Sequence, residues 1–210
     1  MWMGGHVTRY AGKSAVTTAE FLGDPEPHHP NALACYEFST SVRCPHLIET
    51  ALLYADLIED YFQREPVLYS VNLFWSFPGG RVPSEVQAWH RDVDDSIQAA
   101  MFFYLTPVTI EEAHLYVETS HVTEAGASNG VVRELVGEAG TFFIENPYGW
   151  HMGRHPQHKH RLMAWARFGV SDPPQSYGVD GLYQVVHEAL WDRLDEKQRR
   201  ITRLILRESD

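Results

Sequence analysis

The chain has 210 residues, of which 44% are hydrophobic and 12% aromatic, and a formal net charge of -11 with histidine counted neutral. Such a composition buries a core and excludes a disordered chain, while the acidic balance argues against wrapping nucleic acid or lying on an anionic membrane. No apolar run approaches the roughly 18 residues of a spanning helix, and the opening MWMGGHVTRY lacks the apolar centre of a signal peptide, so one cytoplasmic domain over 1–210 is expected.

Residues 1–43 read as an irregular wrap containing the Pro-rich loop GDPEPHHPN. Cys35 and Cys44, with no CxxC, provide neither a disulfide framework nor a thiolate zinc site. Over 44–63, Ile48, Ala51, Leu52, Ala55, Ile58 and Phe62 recur at helical spacing. Pro45 suits a first helical position and Pro66 follows the expected end. From 66 to 170 the texture changes to short segments rich in Val, Phe, Tyr and Trp, among them VLYSVNLFWSF, EVQAWHRDV, IQAAMFFYLTPV, GTFFIEN and RLMAWARFGV. Close-spaced strands of this kind predict a mainly β fold, a sandwich or barrel with flanking helices. Residues 181–208 read as a helical tail, with Ile201, Leu204 and Ile205 facing back to the core.

The sole HxD or HxE in the chain is His90-Arg91-Asp92. In a strand, residues two apart share a face, so His90 and Asp92 can grip one ion together. His151, after GTFFIENPYGW, is the expected third ligand; His155, His158 and His160 are its rivals. Two histidines and one carboxylate leave open positions on a metal, the arrangement that suits non-haem Fe(II) with O2. Arg161, ten residues beyond His151, offers a planar fork for a carboxylate-bearing cosubstrate, with Arg154 and Arg167 as alternatives. Asp94 and Asp95 read either as partners of the ligand groups or as a solvated turn.

The segments QAWHRDVDD, FFYLTPVTIEEAHLYVETSHV and GTFFIENPYGWHMGRHPQHKHR resemble the phytanoyl-CoA dioxygenase-like branch of the Fe(II)/2-oxoglutarate-dependent oxygenases over about 66–170. That resemblance implies a double-stranded β-helix, a cupin-like jelly roll, with His90, Asp92 and His151 holding iron and Arg161 holding the far carboxylate of 2-oxoglutarate. It implies oxidation of a small organic substrate by O2, with 2-oxoglutarate converted to succinate and CO2. Asn72, Gln87 and Thr106 are candidate hydrogen-bonding partners of 2-oxoglutarate; Trp89, Phe102, Tyr104, Trp150 and His121 are candidate substrate contacts. Of the family's Pro-Gly-Ser-His segment only Ser120-His121 is present, and the carboxylate at Asp92 argues against a halogenase.

Hydroxylation of a metabolite or natural-product intermediate is the expected outcome. The alternatives are desaturation, cyclisation or epimerisation by the same oxidation, a protein-modifying hydroxylase, and a non-catalytic cupin-type binding or sensor module. Few lysines argue against an acyl-CoA substrate. No feature of the sequence specifies an oligomeric state.

Overall fold

A computed structural model describes residues 6–9, 15–17, 34–37, 45–78, 87–123, 130–172, 185–186 and 188–207. The Pro-rich loop at 23–31 and Cys44 lie outside the described residues. By internal contacts the chain divides into two compact units. The first comprises Met1–Glu37, Leu73–Asp92 and Phe102–Ala164; the second comprises Phe38–Asn72, Val93–Met101 and Trp165–Asp210.

The first unit is built of strands. Residues 1–43, expected to be irregular, contribute β1 (His6–Arg9), β2 (Ala15–Thr17) and β3 (Ala34–Glu37). Here tertiary pairing overrides weak local propensity: β1 bonds antiparallel to β2 and β3, and β3 bonds antiparallel to β4 (Val67–Ser76), with Cys35 opposite Trp75. The remaining strands are β5 (Gln98–Tyr104), β6 (His114–Val117), β7 (Val132–Leu135), β8 (Phe142–Glu145), β9 (His151–Gly153) and β10 (Arg161–Gly169). One sheet runs β2-β1-β3-β4-β10-β5-β8 and another β7-β6-β9; β4, β5 and β10 contribute residues to both units. Phe102 of β5 stacks on Phe143 of β8 at 5.1 Å.

The second unit carries the helices. The helix expected over 44–63 is two, α1 (Pro45–Leu53) and α2 (Ala55–Phe62). Tyr54 N–H bonds back only three residues, to Ala51 O, and this tighter turn breaks the run. All six residues picked out by spacing are buried. The tail is less helical than expected: α3 (Glu188–Trp191) and α4 (Glu196–Thr202) lie between two short parallel strands, β11 (Val185–Val186) and β12 (Leu206–Arg207). Asp195 and Gln198 close α4 with a reciprocal capping box, and Leu204 joins Val67 and Tyr69 in the core.

Asp94 and Asp95 are neither solvated nor aimed at a ligand; they staple this unit. Asp94 accepts from Tyr69 Oη at 2.8 Å and Arg167 Nη1 at 2.7 Å. Asp95 accepts from the Ser96, Val170 and Ser171 backbone N–H groups and the Ser171 hydroxyl, each at 2.7 Å. Burial pushes its carboxyl pKa up, but the bonds from Ser171, Val170 and Ser96 outweigh that and hold it below the ordinary value. Asp95→Ala strands these donors and is expected to cost about 3 kcal/mol or more. In the wild type the Asp95 contribution is complete above the unfolded carboxyl value of about 4 and is lost as pH falls through the lower folded value. Urea unfolding between neutral pH and pH 3 checks this; equal acid sensitivity in wild type and Asp95→Asn would contradict it.

Candidate metal centre

Within EVQAWHRDV, the described residues 87–93 do not form the strand that the alternation predicts. Its backbone is tied at points instead: His90 N–H donates to His151 O at 3.0 Å, His151 N–H donates to His90 O at 3.1 Å, and Asp92 N–H donates to Pro147 O at 2.9 Å. A single bridge at His90, with no regular element over 91–93, still delivers both side chains to one place. The third side chain is His151, at the start of β9.

Asp92 Oδ1 lies 3.8 Å from His90 Nε2, and Asp92 Oδ2 lies 3.8 Å from His151 Nε2. The ligand atoms of all three residues fall within 4.8 Å of one another. Metal–ligand bonds of about 2.1 Å fit such a spacing with small side-chain adjustments. The tautomers also fit. His90 Nδ1 lies 2.8 Å from Ala88 O and His151 Nδ1 2.9 Å from Gly149 O. A carbonyl only accepts, so each Nδ1 carries the hydrogen and each Nε2 presents its lone pair toward Asp92. Among the described residues this is the one grouping of this kind. Of the rival ligands, His158 is solvent-facing near Glu111, and His160 stands edge-on to Phe77.

Burial depresses His151, which is 3% exposed, to a pKa of about 4, and depresses the buried His114 to about 3. Both are neutral at pH 7, so no proton competes with a metal at His151. The unfolded chain binds these protons from about pH 6.5 downward. Stability of the metal-free protein is therefore complete above that value and is lost as pH falls through about 4 and about 3. Thermal melts from pH 7 to pH 4 are expected to show a falling midpoint, and a flat profile would contradict neutral burial.

Arg161 opens β10 and is fully buried. Nη1 donates to the Glu112 carbonyl, and Nη2 donates to Ser76 Oγ at 3.2 Å. A Cβ built on Gly153 would meet Arg161 Nη2 at 2.7 Å, so the guanidinium lies over the residue two places beyond His151. At about 3.3 Å per strand residue, that separation along β9 is some 6–7 Å. Gly153→Ala is expected to displace the guanidinium and cost about 1–3 kcal/mol, read by urea unfolding; unchanged stability would show that the guanidinium has room to move. The alternatives to Arg161 are engaged elsewhere, Arg154 with Ile110 O and Glu134, and Arg167 with Asp94.

The remaining candidates separate. Gln87, three residues before His90, is 2% exposed, and neither its amide oxygen nor its nitrogen has a partner. A buried amide is normally bonded, so this one is suited to a ligand that offers both a donor and an acceptor. Asn72 belongs to the second unit, where its amide oxygen, turned to suit its neighbours, accepts from the Trp165 indole and the Ser70 hydroxyl. Thr106 Oγ1 accepts from Leu162 N–H at 3.0 Å. Tyr104 is fully buried, its hydroxyl donating to Leu135 O at 2.6 Å and its pKa pushed up to about 12 by burial. Phe102 is core, against Phe143. Trp89 is half-buried, as are His121, which meets Tyr116 Oη at 3.1 Å, and Trp150, whose ring lies under the Arg91 guanidinium at 4.9 Å. Sequence reasoning passed over His114, Glu145 and Gly153, whose places depend on cross-strand register.

No protein-family model and no curated protein matches the chain. Solved structures do. The non-haem α-ketoglutarate-dependent epimerase SnoN from nogalamycin biosynthesis aligns with a TM-score of 0.55 at 16% identity, over 65% of this chain and 61% of its own. The fold is a jelly roll. The carbocyclase SnoK from the same biosynthesis aligns at 0.54 and 14% identity, over 65% of this chain and 63% of its own. EctD from S. alaskensis, solved with 2-oxoglutarate and 5-hydroxyectoine, aligns at 0.53 and 16% identity, over 74% and 68%. The match thus spans less than two thirds of the length of SnoN and SnoK. No helix among the described residues is long and apolar enough to cross a membrane.

Proposed function

We propose that this jelly roll is a non-haem Fe(II)/2-oxoglutarate-dependent oxygenase of the phytanoyl-CoA dioxygenase-like branch, acting on a small organic molecule. The observation that carries the reading is the pair of histidines whose Nδ1 hydrogens are both spent on backbone carbonyls, leaving two Nε2 lone pairs and a carboxylate converging on one point. His90, Asp92 and His151 hold the iron. Arg161, some 6–7 Å along β9 by strand rise, binds the far carboxylate of a five-carbon diacid with its fork, and the unbonded Gln87 amide hydrogen-bonds the same cosubstrate or the substrate. The bound metal and cosubstrate supply a C–H oxidation driven by O2, with succinate and CO2 released. Trp89, Trp150 and His121, all half-buried, contact the substrate, and Phe102 and Tyr104 serve as core walls behind it.

Hydroxylation is the expected outcome. Because SnoN is an epimerase and SnoK a carbocyclase, rearrangement without net oxygen transfer is the second reading. Product mass separates them: a gain of one oxygen, a loss of two hydrogens, or no change. The first experiment is anaerobic titration of Fe(II) and 2-oxoglutarate into the metal-free protein, followed by O2. A visible charge-transfer band that needs both additions, then slow succinate release, is expected. A band without O2-dependent succinate would make this a metal-binding sensor module; no band at all would end the reading.

A further inference from the structure

The first unit buries a second ionisable pair that the proposed chemistry does not use. His114 Nε2, on β6, lies 3.1 and 3.0 Å from the two carboxylate oxygens of Glu145, at the end of β8. Their side chains are 3% and 4% exposed. The carboxylate accepts, so Nε2 carries the hydrogen. The His114 ring is caged by Phe102 and Phe143, with centroids 4.9 and 5.2 Å away. It lies nearly parallel to the His151 ring, at 22° and 5.6 Å.

Register explains the placement. On β6 and β9, His114 stands opposite Gly153 and Tyr116 opposite His151, so His114 and His151 are diagonal neighbours on one face. Glycine at 153 leaves that face open, and His114 and the Arg161 guanidinium share it. The Nδ1 bond to Gly149 fixes the His151 tautomer, yet one bond leaves the ring free to tilt about it. His90 at 4.2 Å and His114 are the rings that flank it. Packing alone would be served by phenylalanine at 114 and leucine at 145, with no charge to desolvate. The presence of a buried carboxylate instead points to orientation and charge.

We propose that His114, clamped by Glu145 between Phe102 and Phe143, is a positioning residue that sets the plane of the His151 ring, and that Glu145 places a second negative charge behind the metal-binding face. This rests on the metal reading of His90, Asp92 and His151. The pair does not touch the metal; it acts through His151, as outer partners of metal ligands do.

The test is Co(II) titration of the full chain, read by affinity and by the visible d–d band, with thermal unfolding of the metal-free protein alongside. The double variant His114→Phe/Glu145→Leu keeps an apolar fill between the two phenylalanines. It is expected to unfold near the wild-type midpoint, to bind Co(II) about ten- to a hundredfold more weakly, and to show a shifted band. Glu145→Gln still accepts from His114, so it should keep the band shape and lose part of the affinity. If the double variant fails to fold, Glu145→Gln alone decides: wild-type affinity there overturns the charge role. A folded double variant with wild-type affinity and band overturns the positioning role while leaving the metal reading intact. A wild-type protein that takes up no Co(II) overturns both.

Discussion

His151→Ala is expected to weaken Fe(II) or Co(II) binding by more than about a hundredfold, beyond what loss of an outer partner costs, and to abolish 2-oxoglutarate turnover. His151 is the most buried of the three candidate ligands, at 3% against 24% and 21% for the His90 and Asp92 side chains. Its loss removes the ligand least replaceable by water. The variant should still fold, because the bonds between residues 90 and 151 are main-chain bonds and survive the change. Calorimetric titration with Co(II), paired with a thermal melt, reads both quantities. Affinity within threefold of wild type would show that the third ligand is another residue.

Arg161→Lys is expected to raise the apparent dissociation constant for 2-oxoglutarate about a hundredfold, while metal affinity stays within a few-fold of wild type. Lysine keeps the charge but loses the two-pronged bond to a carboxylate and the planar fork that meets Glu112 O and Ser76 Oγ. Arg161→Leu goes further. It strands the Ser76 hydroxyl and the Glu112 carbonyl inside the core, a loss of about 3 kcal/mol. Titrating 2-oxoglutarate into the metal-loaded protein and following the charge-transfer band measures the first effect; urea unfolding measures the second. Wild-type 2-oxoglutarate affinity in Arg161→Lys would move the carboxylate partner elsewhere, with Gln87 the next group to change.

What could be read from the sequence divides along a physical line. The apolar face of 44–63 was legible residue by residue because helical periodicity is local. The break at Tyr54 was not, since one i to i−3 bond has no signature in side-chain type. His90 and Asp92 were legible as a pair, though for a partly mistaken reason: period two suggested a strand, whereas a single bridge and the main-chain bond of Asp92 to Pro147 bring them together. Arg161 was picked out by its spacing from His151, and the structure buries it over Gly153. His114, Glu145 and Gly153 could not be found that way, because each matters only through what stands opposite or above it, and cross-strand register is a property of the whole sheet. The strands within 1–43 were missed for the same reason, as was the stapling role of Asp95, whose partners Val170 and Ser171 lie far along the chain.

The reciprocal main-chain bonds between His90 and His151 also bear on how the centre is loaded. Chelation is usually slowed and weakened by the cost of ordering the ligands when the ion arrives. Here two of the three arms are clipped to each other by the backbone, so that ordering is completed when the protein folds. What is left for the ion to organise is the Asp92 side chain, with its two bonds of rotation, on a backbone whose N–H donates to Pro147 O. Capture should therefore resemble docking into a prepared notch, with the carboxylate as a closing latch. Evolution could retune the latch at position 92 without disturbing the histidine frame.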